Sequence, residues 1–93
     1  MREIERSTAF RRDYKREAKG QHRTTLDIAL VPVLVALVND EPLAAKHRDH
    51  DLTGDWTGYR DCHVKPDLVL IYQKTQENTL RLARLGSHSE LFR

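Results

Sequence analysis

The side chains best suited to chemistry on a phosphate ester are His50, His63, Asp67, Arg84 and His88. Cleaving RNA without a metal asks for three kinds of group. One takes the proton of the 2′-hydroxyl, one protonates the departing 5′-oxygen, and a cation offsets the charge growing on the phosphate. Histidine, with an ordinary pKa of about 6.5, suits the first two tasks. Arginine suits the third, because its planar fork matches phosphate oxygens. Each residue also has a plainer reading, since a histidine near a strand end is usually a surface or capping residue. Metal binding competes for the same side chains, with donors at Asp49, His50, Asp51, His63, Asp67 and His88. The chain has no HExxH, no CxxC and no His pair at i, i+4, so neither a metal nor a cofactor is expected.

These residues need a scaffold that brings two segments together. One is His50–Tyr72, which holds the only Trp and the only Cys, and the other is Arg84–His88. Alternation and turn residues predict three strands, over Trp56–Val64, Leu68–Lys74 and Leu80–Gly86. The turns Lys65-Pro66-Asp67 and Thr75–Asn78 are short, so neighbours run antiparallel as a meander. Strand parity places Tyr59, Asp61 and His63 on one face, and Trp56, Gly58, Arg60, Cys62 and Val64 on the other. On the third strand Leu80, Leu82, Arg84 and Gly86 share a face, and the parity runs on to His88. The polar strand ends then line a groove, flanked by His50 and Asp67. Residues 43–55 form a long polar connection of the kind that carries function, with a helical turn near Leu43–His47.

The first half supplies the cover. Residues 1–6 suit a short edge strand. Ser7 or Thr8 can cap a helix over residues 8–19, whose narrow apolar stripe is Phe10, Tyr14 and Ala18, with Gly20 as its stop. A second helix starts near Thr24, with Asp27 completing a box-like cap, and runs to about Val38 through Leu26, Leu30, Val33, Leu34 and Leu37. Pro32 and the β-branched residues argue against it, and a buried strand is the alternative. The two helices form a hairpin whose greasier second member should be the buried one. The expected fold class is α+β, a helical hairpin packed on an antiparallel meander, in a single domain of residues 1–93.

The net charge is only +2, but it is uneven. Residues 1–20 carry Arg2, Arg6, Arg11, Arg12, Lys15, Arg16 and Lys19 against Glu3, Glu5, Asp13 and Glu17. Basic ends around a histidine-rich middle suit an anionic partner such as RNA, while a solvated helix face explains residues 1–20 equally simply. One cysteine permits no internal disulfide, the N-terminus has no apolar signal segment, and the apolar run Ile28–Val38 is too short to span a bilayer. A soluble cytoplasmic protein is expected, with no membrane partner. Cys62 reads as a small buried hydrophobe and Trp56 as a packing residue rather than a stacking platform. Phe92 suits either the core or a nucleobase. Asp61 has two candidate partners, Arg60 or a histidine. His22 and His47 have no companions in the sequence.

The residues Asp49, His50, Leu52, Gly54, Trp56, Gly58, Arg60, Asp61, His63, Pro66, Asp67, Leu70, Ile71 and Tyr72, followed by Arg84, Gly86, Ser87, His88, Leu91 and Phe92, carry a resemblance. At this spacing the chain resembles the YafQ-type branch of the RelE/ParE toxin superfamily. The first half resembles it only in its pattern of elements. The resemblance implies a RelE-like, microbial-ribonuclease-like α+β fold. It implies a type II toxin that enters the ribosomal A site, contacts 16S rRNA and cuts mRNA there. A cognate antitoxin would neutralise it and, with it, bind operator DNA. His50, His63, Asp67 and His88 match the family's catalytic positions, His88 being the general acid. Arg84 matches the phosphate-stabilising arginine, Phe92 the aromatic beside the substrate, and Asp61 a position supporting the site. Rival readings are a non-catalytic, gyrase-poisoning type of inhibitor and a module that binds RNA or antitoxin without cutting.

Overall fold

The computed structural model describes residues 1–92. In chain order the elements are β1 (Glu3–Arg6), α1 (Thr8–Lys19), α2 (Leu26–Val38), β2 (His50–Asp51), β3 (Arg60–Lys65), β4 (Leu68–Lys74), β5 (Thr79–Gly86) and α3 (His88–Leu91), with short 3-10 turns at Ala45–His47 and Gly54–Trp56. One five-stranded sheet has the order β1-β5-β4-β3-β2. The meander β3-β4-β5 is antiparallel, as expected, and β1 adds a parallel edge against β5.

β4 sits in the middle of the sheet, and its alternation divides the molecule. Leu68, Leu70 and Tyr72 point into the main core with Phe10, Leu30, Val33 and Leu37 from the helices. Val69 and Ile71 point the other way, into a smaller cluster with Ala83 and Leu91, over which Trp56, Tyr59 and Phe92 pack. The helix-free face is therefore a floor for a site rather than bare strand.

The Ser7 hydroxyl accepts from the Phe10 N–H at 2.9 Å and starts α1. α2 begins one residue later than expected. Its cap residue is Thr25, without a side-chain cap, and Asp27 accepts instead from the Tyr14 hydroxyl. The helix continues through Pro32, at the loss of the hydrogen bond that a residue with an N–H would make one turn back. α2 is the more buried of the two helices, as expected, but it is buried on one face only. Leu26, Leu30, Val33 and Leu37 are buried, while Ile28, Val31 and Val35 face outward at 74%, 50% and 49% exposure.

Two strands depart from simple alternation. Residues 56–59 do not begin β3, because Gly54 and Gly58 take φ of +66° and +94° and turn the chain where a strand would need extended backbone. In β5, Leu82 pairs with Tyr72 and Arg84 with Ile71, so Ala83 is an extra residue, a β-bulge. Leu80, Leu82 and Leu85 enter the main core, and Ala83 turns to the opposite cluster. Arg84 therefore does not share the face of Leu80 and Leu82.

Candidate active site

β2 is only two residues long, and it lies against β3 with His50 opposite Asp61 and Asp51 opposite Arg60. Such a strand needs side-chain anchors. Arg60 supplies them, donating from Nη1 to Asp51 at 2.6 Å and from Nη2 to Asp49 at 2.9 Å. The Tyr72 hydroxyl donates to the other Asp49 oxygen. Both neighbours of His50 are thus tied to the sheet. Asp49 and Tyr72 hold the Arg60 guanidinium more firmly protonated than usual, against the opposing effect of burial. Arg60 pairs with these two aspartates and not with Asp61.

Asp61 is 1% exposed, and among the described residues neither carboxylate oxygen has a hydrogen-bond donor. His50 Nδ1 lies 3.0 Å from Oδ1 of Asp61, but its hydrogen aims at the Arg48 carbonyl, 2.7 Å away. Two acceptors facing Nδ1 place the ring proton there and leave Nε2 with its lone pair. Burial pushes the Asp61 carboxyl above its ordinary value, and His50, His63 and His88 draw it back. His63 stands on the same face of β3, opposite Val69. The strand at that point is fixed from below by His47, whose Nδ1–H donates to the His63 carbonyl at 2.7 Å.

His88 opens α3, which is held by a capping box between Ser87 and Glu90. Its ring lies 4.6 Å from that of Phe92, and Leu91 of the same turn is buried in the floor. Arg84 does not reach the site unencumbered. It donates to Asp13 at 2.7 and 3.3 Å, and Asp13 also accepts from the Leu85 N–H at 3.0 Å and from Arg16 at 3.0 Å. Burial alone would raise the Asp13 carboxyl, but the Arg84 bond, the Leu85 N–H and Arg16 outweigh it and hold the acid below its ordinary value. The apolar stripe of α1 gave no hint of this buried aspartate.

The site thus gathers His50, His63 and His88 around Asp61, with Phe92 beside His88. Asp67 makes its contacts elsewhere, with Gln21 at 3.2 Å and His22 at 3.5 Å on the loop between α1 and α2. Cys62, between Asp61 and His63, is fully buried, and burial pushes its thiol up, as suits an inert core residue. Among the described residues no group of three or more His, Cys, Asp or Glu is arranged to hold a metal ion. Sequence reasoning missed His22, His47, Asp13 and the Arg60 clamp. Only the clamp left a local trace, in the two aspartates flanking His50.

Residues 2–93 match the family model for the bacterial toxin of type II toxin-antitoxin systems, YafQ. The chain belongs to the YafQ family. Over 91 residues it is 38% identical to the mRNA interferase toxin YafQ of Escherichia coli strain K12, covering 96% of this chain and 98% of that one. The fold matches the E. coli DinJ–YafQ complex with a TM-score of 0.83, at 40% identity and full coverage of both chains. It also matches a metal-bound toxin from Helicobacter pylori with a TM-score of 0.82, at 45% identity, covering 99% of this chain and 100% of that one. The α+β expectation holds, with the parallel β1 added to it.

Proposed function

We propose that this YafQ-family toxin is an mRNA endonuclease that cuts on the ribosome, in the A site, by acid–base chemistry of its own side chains. The observation that carries the reading is the set of three histidines ringing one buried, unpartnered carboxylate. His50 is the base, because its Nδ1–H is taken by the Arg48 carbonyl, with Asp61 alongside, and Nε2 is free to take the 2′-hydroxyl proton. The 2′-oxygen then bonds to phosphorus, the bond from phosphorus to the 5′-oxygen breaks, and His88 gives that oxygen its proton. His63 stands beside His50 as a second acceptor. Asp67 assists from the β3–β4 turn, and Arg84 bears the phosphate charge. Phe92 stacks on a base and keeps His88 in line. Asp61 supports the three histidines from beneath.

The solved DinJ–YafQ complexes support a cognate antitoxin as partner, with operator DNA bound only through that complex. Ribosomal RNA suits the excess of cations over residues 1–20.

Mapping mRNA 5′ ends with and without ribosomes, for the wild type and His88→Ala, tests the reading. Cuts are expected with wild type on ribosomes only. An uncut message with the wild type favours a non-catalytic inhibitor, and equal cutting by His88→Ala removes the proposed acid. Cleavage should also survive a chelator; its loss in chelator would point to metal chemistry of the kind a metal-bound relative suggests.

A further inference from the structure

His22 lies on the loop between α1 and α2, and the chemistry above gives it no task. It is 6% exposed, and a buried imidazole needs partners for its nitrogens. Its Nδ1 is 3.2 Å from Lys65 Nζ, which also donates to the Thr25 hydroxyl. An ammonium has only donors, so Nδ1 must present a lone pair and the ring proton sits on Nε2. That nitrogen faces Oδ2 of Asp67 at 3.5 Å. Gln21 donates to the same oxygen at 3.2 Å. The 3.4 Å between the Gln21 and His22 nitrogens is then the spacing of two donors converging on one acceptor, and not a bond between them. Oδ1 of Asp67 has no hydrogen-bond partner among the described residues, and the side chain is 56% exposed.

We infer that His22 is a positioning residue for Asp67. With Lys65 behind it and Gln21 beside it, it holds one carboxylate oxygen against the helical loop and leaves the other free to face the substrate. A carboxylate on an exposed turn otherwise rotates freely, and donors from a separate element remove that freedom before the substrate arrives. The arrangement also joins the α1–α2 loop to the β3–β4 turn, two segments remote in sequence. The inference rests on Asp67 being a catalytic group.

Two measurements test it. In the wild type, long-range nitrogen–proton NMR of the histidine rings reads the tautomer of His22 near neutral pH. A proton on Nε2 alone is expected; a proton on Nδ1, or on both nitrogens, overturns the inference. The second is a cycle of His22→Phe, Asp67→Asn and the pair, read as cleavage rate on mRNA-loaded ribosomes. His22→Phe should slow cleavage roughly 10-fold with unchanged KM for ribosomes, and should slow nothing further once Asp67→Asn is present. Losses that multiply overturn the role of His22 alone. An Asp67→Asn protein that cuts at the wild-type rate overturns the catalytic reading of Asp67 as well. Should His22→Phe fail to fold, Gln21→Ala, on the exposed side of the loop, takes its place in the cycle, with a smaller loss expected in the same direction.

Discussion

At the scale of single residues, the site works against stability. Asp61 is sealed from water with no donor of its own, an arrangement that costs about 1–3 kcal/mol for an unsatisfied polar group. Its folded pKa is raised, chiefly by burial. Above that value the folded chain carries the penalty of a buried charge. As pH falls through it, the acid becomes neutral in the fold and the penalty goes. Asp61→Asn is therefore expected to raise Tm at neutral pH, by about 4–8 °C per kcal/mol gained, with the gain shrinking on acidification. The same variant should cut mRNA more slowly, because His50, His63 and His88 lose the carboxylate between them. Calorimetry across pH checks the first part, and a Tm gain that grows toward acid would contradict it. Asp13 runs the other way. Its carboxyl is held below the ordinary value by Arg84, Leu85 and Arg16 against burial, so its contribution is present above the unfolded pKa and fades as pH falls through the folded one. Asp13→Asn should lower Tm at neutral pH and lose that effect in acid.

At the scale of elements, the short β2 depends on Arg60. Arg60→Met releases both aspartates beside His50, and is expected to lower kcat on the order of 100-fold with KM for ribosomes little changed. Arg60→Lys should recover only part, since one ammonium cannot reproduce a two-pronged fork. Arg84→Ala should slow cleavage far more than it loosens ribosome binding; equal losses would make Arg84 a docking residue. The same scale decides what the sequence could say. Helical spacing found α1 and α2, and an apolar run between two turns found β4, though not its two faces. Alternation placed Asp61 and His63 correctly on the open face, where β3 pairs with β4 in simple register. It failed at Arg84, because one inserted residue, Ala83, reverses parity and nothing local announces a bulge. A start at Trp56 is too early, because alternation puts Gly58 on a strand face and does not register its positive φ. The partners of His22, Asp13 and His47 come from distant elements, and a pattern read along one segment does not contain them.

At the scale of the molecule, one chain of 93 residues carries +2 overall, with the excess of cations gathered near its N-terminus. Such a surface binds a polyanion by releasing counterions, so KM for ribosomes should rise steeply with salt. The single-turnover rate on saturated ribosomes should stay nearly constant, because Asp61 is buried and bound RNA covers the exposed His50 and His88, so salt screens them less than free surface charges. A cleavage rate that falls in step with affinity would locate the salt effect in the chemistry. No helix among the described residues is long and apolar enough to cross a membrane, and the outward stripe of Ile28, Val31 and Val35 on α2 is surface rather than core.

The one thiol of the chain, Cys62, has no exposure and sits between Asp61 and His63. It points into the main core, so a sulfhydryl reagent can reach it only when the sheet and its helical cover part. Its modification rate is therefore a clock for the opening of the core behind the strand that bears two of the site's residues. The clock is built into the wild-type chain and runs without a label. Substrate or antitoxin that binds only the folded chain will slow that opening, so the same sulfur reports occupancy of the cleft from the far side of the sheet while taking no part in what happens there.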